Sequence, residues 1–309
     1  MKLSIITATF NALELTQSFW ASLRAYPPNV EWEMIWVDDG STDGTREWLR
    51  TLPAPLCRSL FNDTNLGYAA ANNLGVKHAT GDILVFLNND LVLTNGWFSP
   101  LYHTLQSVSG VGIVGNVQLS IKTGLIDHAG VRFDLVGLPI HYLKNWPRSA
   151  LRGDGILSNA VTAACWVVYR KVFLENGGFD DAYRNGGEDF DLCIRLGNAG
   201  YRHWVDYRSV IWHHLNSSPG RKGHDLQNQA RFLRQWSHAT SKWGQADWPR
   251  AYISRILRNP KHINGTKTID ALLRVLYLRR GDSAWAALRR KRLMNPSTVH
   301  FKAINETAS

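Results

Sequence analysis

At 309 residues the chain can bury a large core, and one or two domains are expected. A hydrophobic content of 44% with 19% charged residues is ordinary for a globular protein and excludes a disordered or fibrous one. Three scattered cysteines (Cys57, Cys165 and Cys193) argue against a disulfide framework and for a reducing compartment, and no Cys/His cluster has zinc spacing. Met1-Lys2 runs straight into a strand-like stretch with a polar break at Asn11, which is not a signal peptide. No apolar run approaches the ~20 residues of a membrane span. The expected location is cytoplasmic, at most peripheral at the inner face of the membrane. The net charge of +10 is unevenly placed: residues 246–309 hold 13 Lys/Arg and 4 Asp/Glu. Such a basic tail suits an anionic membrane surface or nucleic acid, and equally a merely solvated basic helix pair.

Taken in order, Leu3 to Thr9 reads as a buried strand, and residues about 12–25 have helical spacing. Met34 to Val37 is a second buried strand, ending at Asp38-Asp39-Gly40-Ser41-Thr42-Asp43-Gly44. Thr42 or Asp43 is placed to cap a helix running to about Leu52. A short strand Leu56 to Phe61, a small-residue helix Leu66 to His78 and a strand Ile83 to Leu87 follow, the last ending at Asn88-Asn89-Asp90. A helix from about Trp97 to Gln106 precedes a strand Gly112 to Val114. Alternating βα units with continuous apolar strands predict a mostly parallel α/β sheet covered by helices on both faces.

Residues 117–158, irregular and rich in Gly, Pro and aromatics, predict a hairpin and loops. A strand Ala163 to Tyr169, a short helix over 170–177, and a helix opened by Gly186-Gly187-Glu188-Asp189-Phe190-Asp191 come next. Trp204 to Asp206 and Val210 to Trp212 read as two short strands, the second running into His213-His214. Residues 215–227 read as a mobile loop. Trp- and Arg-rich helices extend through Trp243, then amphipathic segments over 249–258 and 268–279, then the basic cluster Arg289 to Arg292.

Ligands in open α/β sheets sit beyond the carboxyl ends of the strands. Both Asp38-Asp39 and Asn88-Asn89-Asp90 lie there. A carboxylate at Asp38-Asp39 could accept hydrogen bonds from a ribose or a base edge, and could equally cap its own turn. Asn88-Asn89-Asp90 offers oxygen ligands of the kind hard divalent cations prefer, or a plain polar turn. On a strand, His213 and His214 point to opposite faces, so at most one serves a given site. The small residues after Asn65-Leu66-Gly67, through Asn72, permit close approach of a ligand or of a neighbouring strand. Of the 13 Trp, Trp97 and Trp166 are the candidates for lining a site. At Glu188-Asp189, exposed N–H groups and the helix dipole keep a carboxylate ionised, as a general base requires. Asp191 and Arg195 are spaced i,i+4 and should pair. Neither GxGxxG nor a P-loop follows the first strand.

Singly these signals are weak, but their order is specific. Ser4 to Asn11, Val37 to Thr45, Asn65 to Ala69, Gly81-Asp82, Leu87 to Asp90, Gly178 to Asp180, Glu188 to Leu192, Gly200-Tyr201 and His213 together resemble the family-2 glycosyltransferases. The closest subgroup resembles bacterial transferases of surface-polysaccharide assembly, where rhamnosyl transfer is common. The resemblance covers about residues 1–245. It implies a GT-A fold with a Rossmann-like central sheet: a glycosyltransferase domain over 1–245, with a nucleotide-sugar half over about 1–115 and an acceptor half over 116–245. Residues 246–309 would be a basic helical C-terminal extension.

It further implies inverting transfer from a nucleotide-diphosphate sugar (UDP, GDP or dTDP) to a hydroxyl of a glycan or lipid-linked acceptor. Thr7, Thr9, Asn11, Asp38, Asp39, Asn65, Gly67, Asn72, Asn88, Asn89 and Asp90 would lie along the donor. Asp90 matches the metal-binding acid of a DxD-like motif whose first acid is replaced by Asn88. His213 matches a further ligand for Mn²⁺ or Mg²⁺, with His214 as the fallback. Asp189 matches the catalytic base, with Glu188 beside it, and Trp166, Gly187 and Glu188 fall on the acceptor side. The competing readings are a catalytically silent domain that binds nucleotide sugar or glycan, and a nucleotidyltransferase, which would need a Gly-rich basic loop after the first strand. Nucleic-acid binding is disfavoured, since the tail lacks interleaved aromatic and basic residues.

Overall fold

The computed structural model describes residues 1–215 and 221–295, which divide into two compact units. The first comprises Met1–Arg132 and Pro139–His224. Its elements run β1 (Leu3–Thr9), α1 (Leu13–Ala25), β2 (Trp32–Asp38), α2 (Thr45–Leu49), β3 (Cys57–Phe61), α3 (Tyr68–Lys77), β4 (Ile83–Leu87), β5 (Leu91–Val92), α4 (Phe98–Ser107) and β6 (Val111–Ser120). They continue with β7 (Ile126–His128), β8 (Val131–Phe133), β9 (Pro139–His141), β10 (Gly155–Ser158), β11 (Cys165–Tyr169), α5 (Arg170–Glu175), α6 (Glu188–Asn198) and β12 (Arg202–His213).

The central sheet has the order β10-β12-β6-β11-β4-β1-β2-β3, with β5 added to β12 and β7 to β6. Pairs β1/β2, β1/β4, β2/β3 and β6/β12 are parallel, while β11 is antiparallel to both neighbours. The strands β1 and β2 are buried on both faces because α1 covers one side and α3 the other, while Phe86 of β4 packs on Phe173 of α5 and on Phe179. Phe19, Trp20 and Leu23 of α1 recur at helical spacing and fill the core beside Leu3, Ile5 and Trp36. Gly75 of α3 packs so close to Ile6 and Val37 that a Cβ would stand 2.6 Å from Ile6 Cγ2. The sheet thus matches the fold class expected from the βα alternation.

Several elements differ from expectation. Helix α2 ends at Leu49, and its N-cap is Gly44. Asp43 acts one step earlier, accepting from Thr45 N–H (3.1 Å) and Oγ1 (2.6 Å). The two short strands near 204 and 210 are one strand, β12, whose pairing with β6 shifts between Asp206 and Val210. β6 continues to Ser120, and segment 117–158 contributes β7 and β10 to the sheet as well as the expected hairpin, β8 with β9. Of the expected loop over 215–227, residues 216–220 lie outside the described ones. Trp166 and Trp97 are core residues: Trp166 stacks on Phe179 and meets Phe86 edge-on, and Trp97 Nε1 donates to the Tyr26 carbonyl. A ring so enclosed has no face left for a ligand, so the placement of Trp166 on the acceptor side does not hold. All three cysteines are buried free thiols.

The second unit comprises Phe133–Leu138 and the chain from Asp225 onward. Its helices are α7 (Asp225–Arg258), α8 (Gly265–Val275) and α9 (Ala284–Met294). At 34 residues α7 is about 51 Å long. It absorbs both the Trp-rich helices and the amphipathic segment at 249–258, so residue 245, the expected domain boundary, falls inside it. Pro249 breaks no helix here. Gly244 lets α7 touch the backbone at Asp134, where any Cβ would overlap the carbonyl oxygen. Leu135, Val136, Leu233, Trp248, Tyr252, Ala271 and Ala286 form its core. Asp270 is fully buried and accepts from Arg274, Arg279, Ser283 and Trp285. Arg290, one of the expected basic cluster, turns inward to the carbonyls of Leu135 and Val136. Among the described residues no helix is long and apolar enough to cross a membrane.

Candidate active site

A cavity of about 470 Å³ opens over the carboxyl ends of the strands. Thr9, Asp39, Asn65, Asn88, Asn89, Asp90, Gly187, Glu188, Asp189 and His213 line it. Ten positions singled out from the sequence, spread from residue 9 to residue 213, therefore share one wall system. Thr7, Asn11, Asp38, Gly67, Asn72 and His214 do not line it.

The acids that follow β2 are tied into the chain. Asp38 accepts from Ser41 N–H (3.3 Å) and Arg46 Nε (2.8 Å), which fixes the turn after β2. Asn11 braces the same turn through Thr42 N–H (2.9 Å) and Ser41 Oγ (2.8 Å). Asp39 accepts from Asn62 Nδ2 (2.8 Å), Leu66 N–H (3.0 Å) and Gly67 N–H (2.8 Å). A carboxylate offers about four acceptor sites, so Asp39 mainly shapes the loop before α3 and keeps about one site for a ligand. Asn72 is spent inside α3 on the Tyr68 carbonyl (2.8 Å), and Asn89 on Thr16 Oγ1 (2.9 Å). The hydroxyls of Thr7 and Thr9 and the Asn88 side-chain oxygen are buried without hydrogen-bond partners among the described residues.

Asp90 and His213 meet because β5 begins directly after Asp90 and pairs with the end of β12: Leu91 lies opposite His213, and His214 N–H donates to the Asp90 carbonyl (3.0 Å). His213 is buried with Nε2 3.2 Å from Asp90 Oδ1 and Nδ1 3.5 Å from Asp127 Oδ2. Neither contact is aligned as a hydrogen bond. Burial alone would lower the imidazole's pKa, but the carboxylates of Asp127 and Asp90 outweigh it and raise it to about 9. Burial pushes Asp127 up, and contacts from His213 and Lys144 (Nζ at 2.8 Å) bring it well below the usual carboxylate range. A divalent cation fits here: a buried imidazole nitrogen faces a carboxylate oxygen, and both border an open cavity that can admit further oxygen ligands. Among the described residues no three His, Cys, Asp or Glu form a ready-made cage. His214 is held by its backbone and does not line the cavity.

Asp189 stands at the start of α6. Gly187 is the N-cap at φ 103°, and the Tyr183 ring 2.9 Å from its would-be Cβ leaves room only for glycine. Asp189 accepts from Phe190 N–H (2.9 Å) and Ala163 N–H (3.2 Å), while Glu188 turns back to Gly186 N–H (2.8 Å). Asp189 is buried yet lines the cavity. Asp191 pairs with Arg195 (2.8 Å), as its spacing implied, and Arg195 also holds the carbonyls of Asn176 and Gly178.

The sequence reading missed Gln118, Asp127, His141 and Lys144, which also line the cavity. The one available signal was the polar run of Gln118, Ser120, Asp127 and His128 inside a stretch that is otherwise strand-like.

The chain belongs to glycosyl transferase family 2, whose model matches residues 4–177. The matched span contains Asp39 and Asp90 but ends before Asp189 and His213. An uncharacterized protein of Sinorhizobium fredii, y4gI, is 30% identical over 85% of this chain and 31% of its own length. The O-antigen biosynthesis protein RfbC of Myxococcus xanthus is 32% identical over 70% of this chain and 18% of its own length. The chain thus spans at most about a third of these two relatives. An N-acetylglucosaminyl-diphospho-decaprenol L-rhamnosyltransferase of Mycobacterium tuberculosis is 25% identical over 71% of this chain and 78% of its own length. In fold, the chain resembles GalNAc-T7, solved with UDP, GalNAc and Mn²⁺ (TM-score 0.62, 19% identity, 82% of this chain and 51% of that one). It also resembles the mannosyltransferase PcManGT of Pyrobaculum calidifontis, solved with GDP-Man and Mn²⁺ (TM-score 0.56, 18% identity, 96% of this chain and 85% of that one). The fold is of the GT-A type.

Proposed function

We propose that the chain transfers a sugar, with inversion, from a nucleotide-diphosphate donor to a hydroxyl of a glycan or lipid-linked acceptor. The observation that carries this reading is the shared cavity, with the Asp90–His213 pair on one wall and Asp189 at the mouth of α6 on another. Asp90 and His213 would hold Mn²⁺ or Mg²⁺. When bound, the cation offsets the negative charge gathering on the departing diphosphate. The loop shaped by Asp39 and the unpartnered Thr9 and Asn88 oxygens receive the nucleoside end. The acceptor hydroxyl is too weak an acid to ionise at neutral pH. Its proton passes to the Asp189 carboxylate as the oxygen bonds to the anomeric carbon and the bond to the diphosphate breaks. One carboxylate on the acceptor side is sufficient for inversion.

The test is a donor screen: thermal shift and turnover with UDP-, GDP- and dTDP-sugars plus Mn²⁺, with dTDP-rhamnose first in view of the rhamnosyltransferase relative. A chain whose unfolding temperature responds to no nucleoside diphosphate is not such an enzyme. A chain that binds donors without turning them over with any acceptor would be the silent binding domain instead.

We further propose a peripheral membrane contact through the second unit. Leu276, Tyr277, Leu278 and Leu288 are exposed beside the exposed basic residues Arg280, Arg289, Lys291 and Arg292. Charge reversal of Arg289, Lys291 and Arg292 to Glu is expected to abolish salt-sensitive cosedimentation with anionic vesicles. Unchanged cosedimentation removes the contact.

A further inference from the structure

We infer that Gln118 is the reader of the transferred sugar's hydroxyl groups, an assignment that rests on the proposed donor reading. Gln118 lies near the end of β6, a strand whose ten residues are all buried. Its side chain is 0% exposed yet borders the cavity. Among the described residues neither its Oε1 nor its Nε2 has a hydrogen-bond partner. Burying an amide with both ends unsatisfied is costly, and native chains do so rarely. Both amide atoms are enclosed, so a ligand that offers one donor and one acceptor meets them through a small turn of the side chain into the cavity it borders.

Position narrows the ligand. In the sheet, β6 is separated from β2 by β11, β4 and β1. Four strand spacings of about 4.8 Å put Gln118 roughly 19 Å from the Asp39 loop. A nucleoside seated at Asp39 does not reach that far with its base. Gln118 is instead close to the cation residues. It lies opposite His128 in the β6/β7 pair, and the preceding residue, Asp127, touches His213. A diphosphate held at Asp90 and His213 would leave its glycosyl group at this end of the cavity. Adjacent hydroxyls of a pyranose are the matching chemistry: one donates to Oε1 and the next accepts from Nε2–H. Asp127 and Lys144 face the same space but are committed to each other at 2.8 Å. That leaves the neutral amide as the group free to discriminate one hydroxyl arrangement from another.

Calorimetric titration of the full chain with Mn²⁺ separates the two halves of the donor. Wild type and Gln118→Met are each titrated with UDP, GDP and dTDP, and with UDP-glucose, GDP-mannose and dTDP-rhamnose. The expected result is that Gln118→Met binds the bare nucleoside diphosphate within twofold of wild type. Its affinity for the matching nucleotide sugar should fall about tenfold or more, the scale of losing two hydrogen bonds. The unliganded variant should unfold at the same or a higher temperature, since an unsatisfied amide has been replaced by an apolar chain of similar length. A nucleotide-sugar to nucleotide affinity ratio equal to the wild-type ratio overturns the assignment. So does a lower unfolding temperature without ligand, which would mean that the amide already has a structural partner such as a buried water. Failure of wild type to bind any of the three nucleoside diphosphates would instead overturn the donor reading, and this assignment with it.

Discussion

The two walls of the cavity treat their polar groups in opposite ways. On the β1–β2 side, Asp39 on the wall and Asp38 behind it accept mostly from the protein itself, three hydrogen bonds at Asp39 and two at Asp38, one of them from Arg46. On the β6–β12 side, the Gln118 amide has no partner among the described residues, and the His213 nitrogens sit beside carboxylates without aligned hydrogen bonds. The acids of the first wall act mainly as scaffolding, and what stays open there is the Thr9 hydroxyl and about one acceptor site of Asp39. The second is left for ligands to complete. Acidity at a strand end is therefore a poor guide to contact with substrate. The number of acceptor sites still open is a better one.

Substitutions can break this contrast, and the largest effect is expected at neither wall. Asp189→Asn should slow transfer by about 10²–10⁴-fold while nucleoside diphosphate affinity by calorimetry stays within twofold. Retained turnover would remove Asp189 as the base. On the unsaturated wall, Asp127→Asn should weaken Mn²⁺ binding about 10–100-fold, as loss of the group orienting a metal-bound imidazole does. His213→Ala should weaken it at least as much. Mn²⁺ titration with and without EDTA decides this, and unaltered affinity in both variants would sink the cation assignment.

On the saturated wall the readout should be stability. Asp39→Asn sets an –NH₂ against at least one of the three N–H donors now shared between the two carboxylate oxygens and should cost about 1–3 kcal/mol in denaturant unfolding. If it left stability unchanged and weakened only ligand binding, the two walls would not differ as described. The smallest effect is expected for Asn89→Ala. It loses one hydrogen bond to Thr16, about 1 kcal/mol, with no change in Mn²⁺ affinity.

Legibility in the sequence followed the same division. Strands β1, β2 and β4 are built around short apolar runs and stop at polar turns, so both the elements and the residues at their ends could be placed. The far wall resisted for physical reasons. β6 carries Asn116, Gln118 and Ser120, all buried, and apolar patterning loses such a strand where its polar residues begin. β5 and β7 span two and three residues, too short for any periodicity. In β12 the register shift after Asp206 disguised one strand as two. Trp166 shows the converse failure: an aromatic ring has the chemistry to stack on a sugar, and only packing reveals that its faces are taken. In the second unit, Gly244 and Pro249 have the composition of helix breakers, yet α7 runs through both, because Gly244 is needed for contact with Asp134.

The two-residue strand β5 has a consequence for the order in which the chain is made. It joins position 90 to position 213, so the carboxylate leaves the ribosome well over a hundred residues before its imidazole partner. A nascent chain that has emerged as far as α5 holds the Asp39 loop and Asp90 but lacks both His213 and Asp189. β12, which must slip in between β6 and β10, arrives later still. The Asp90–His213 pair does not exist until the last strand of the sheet is in place.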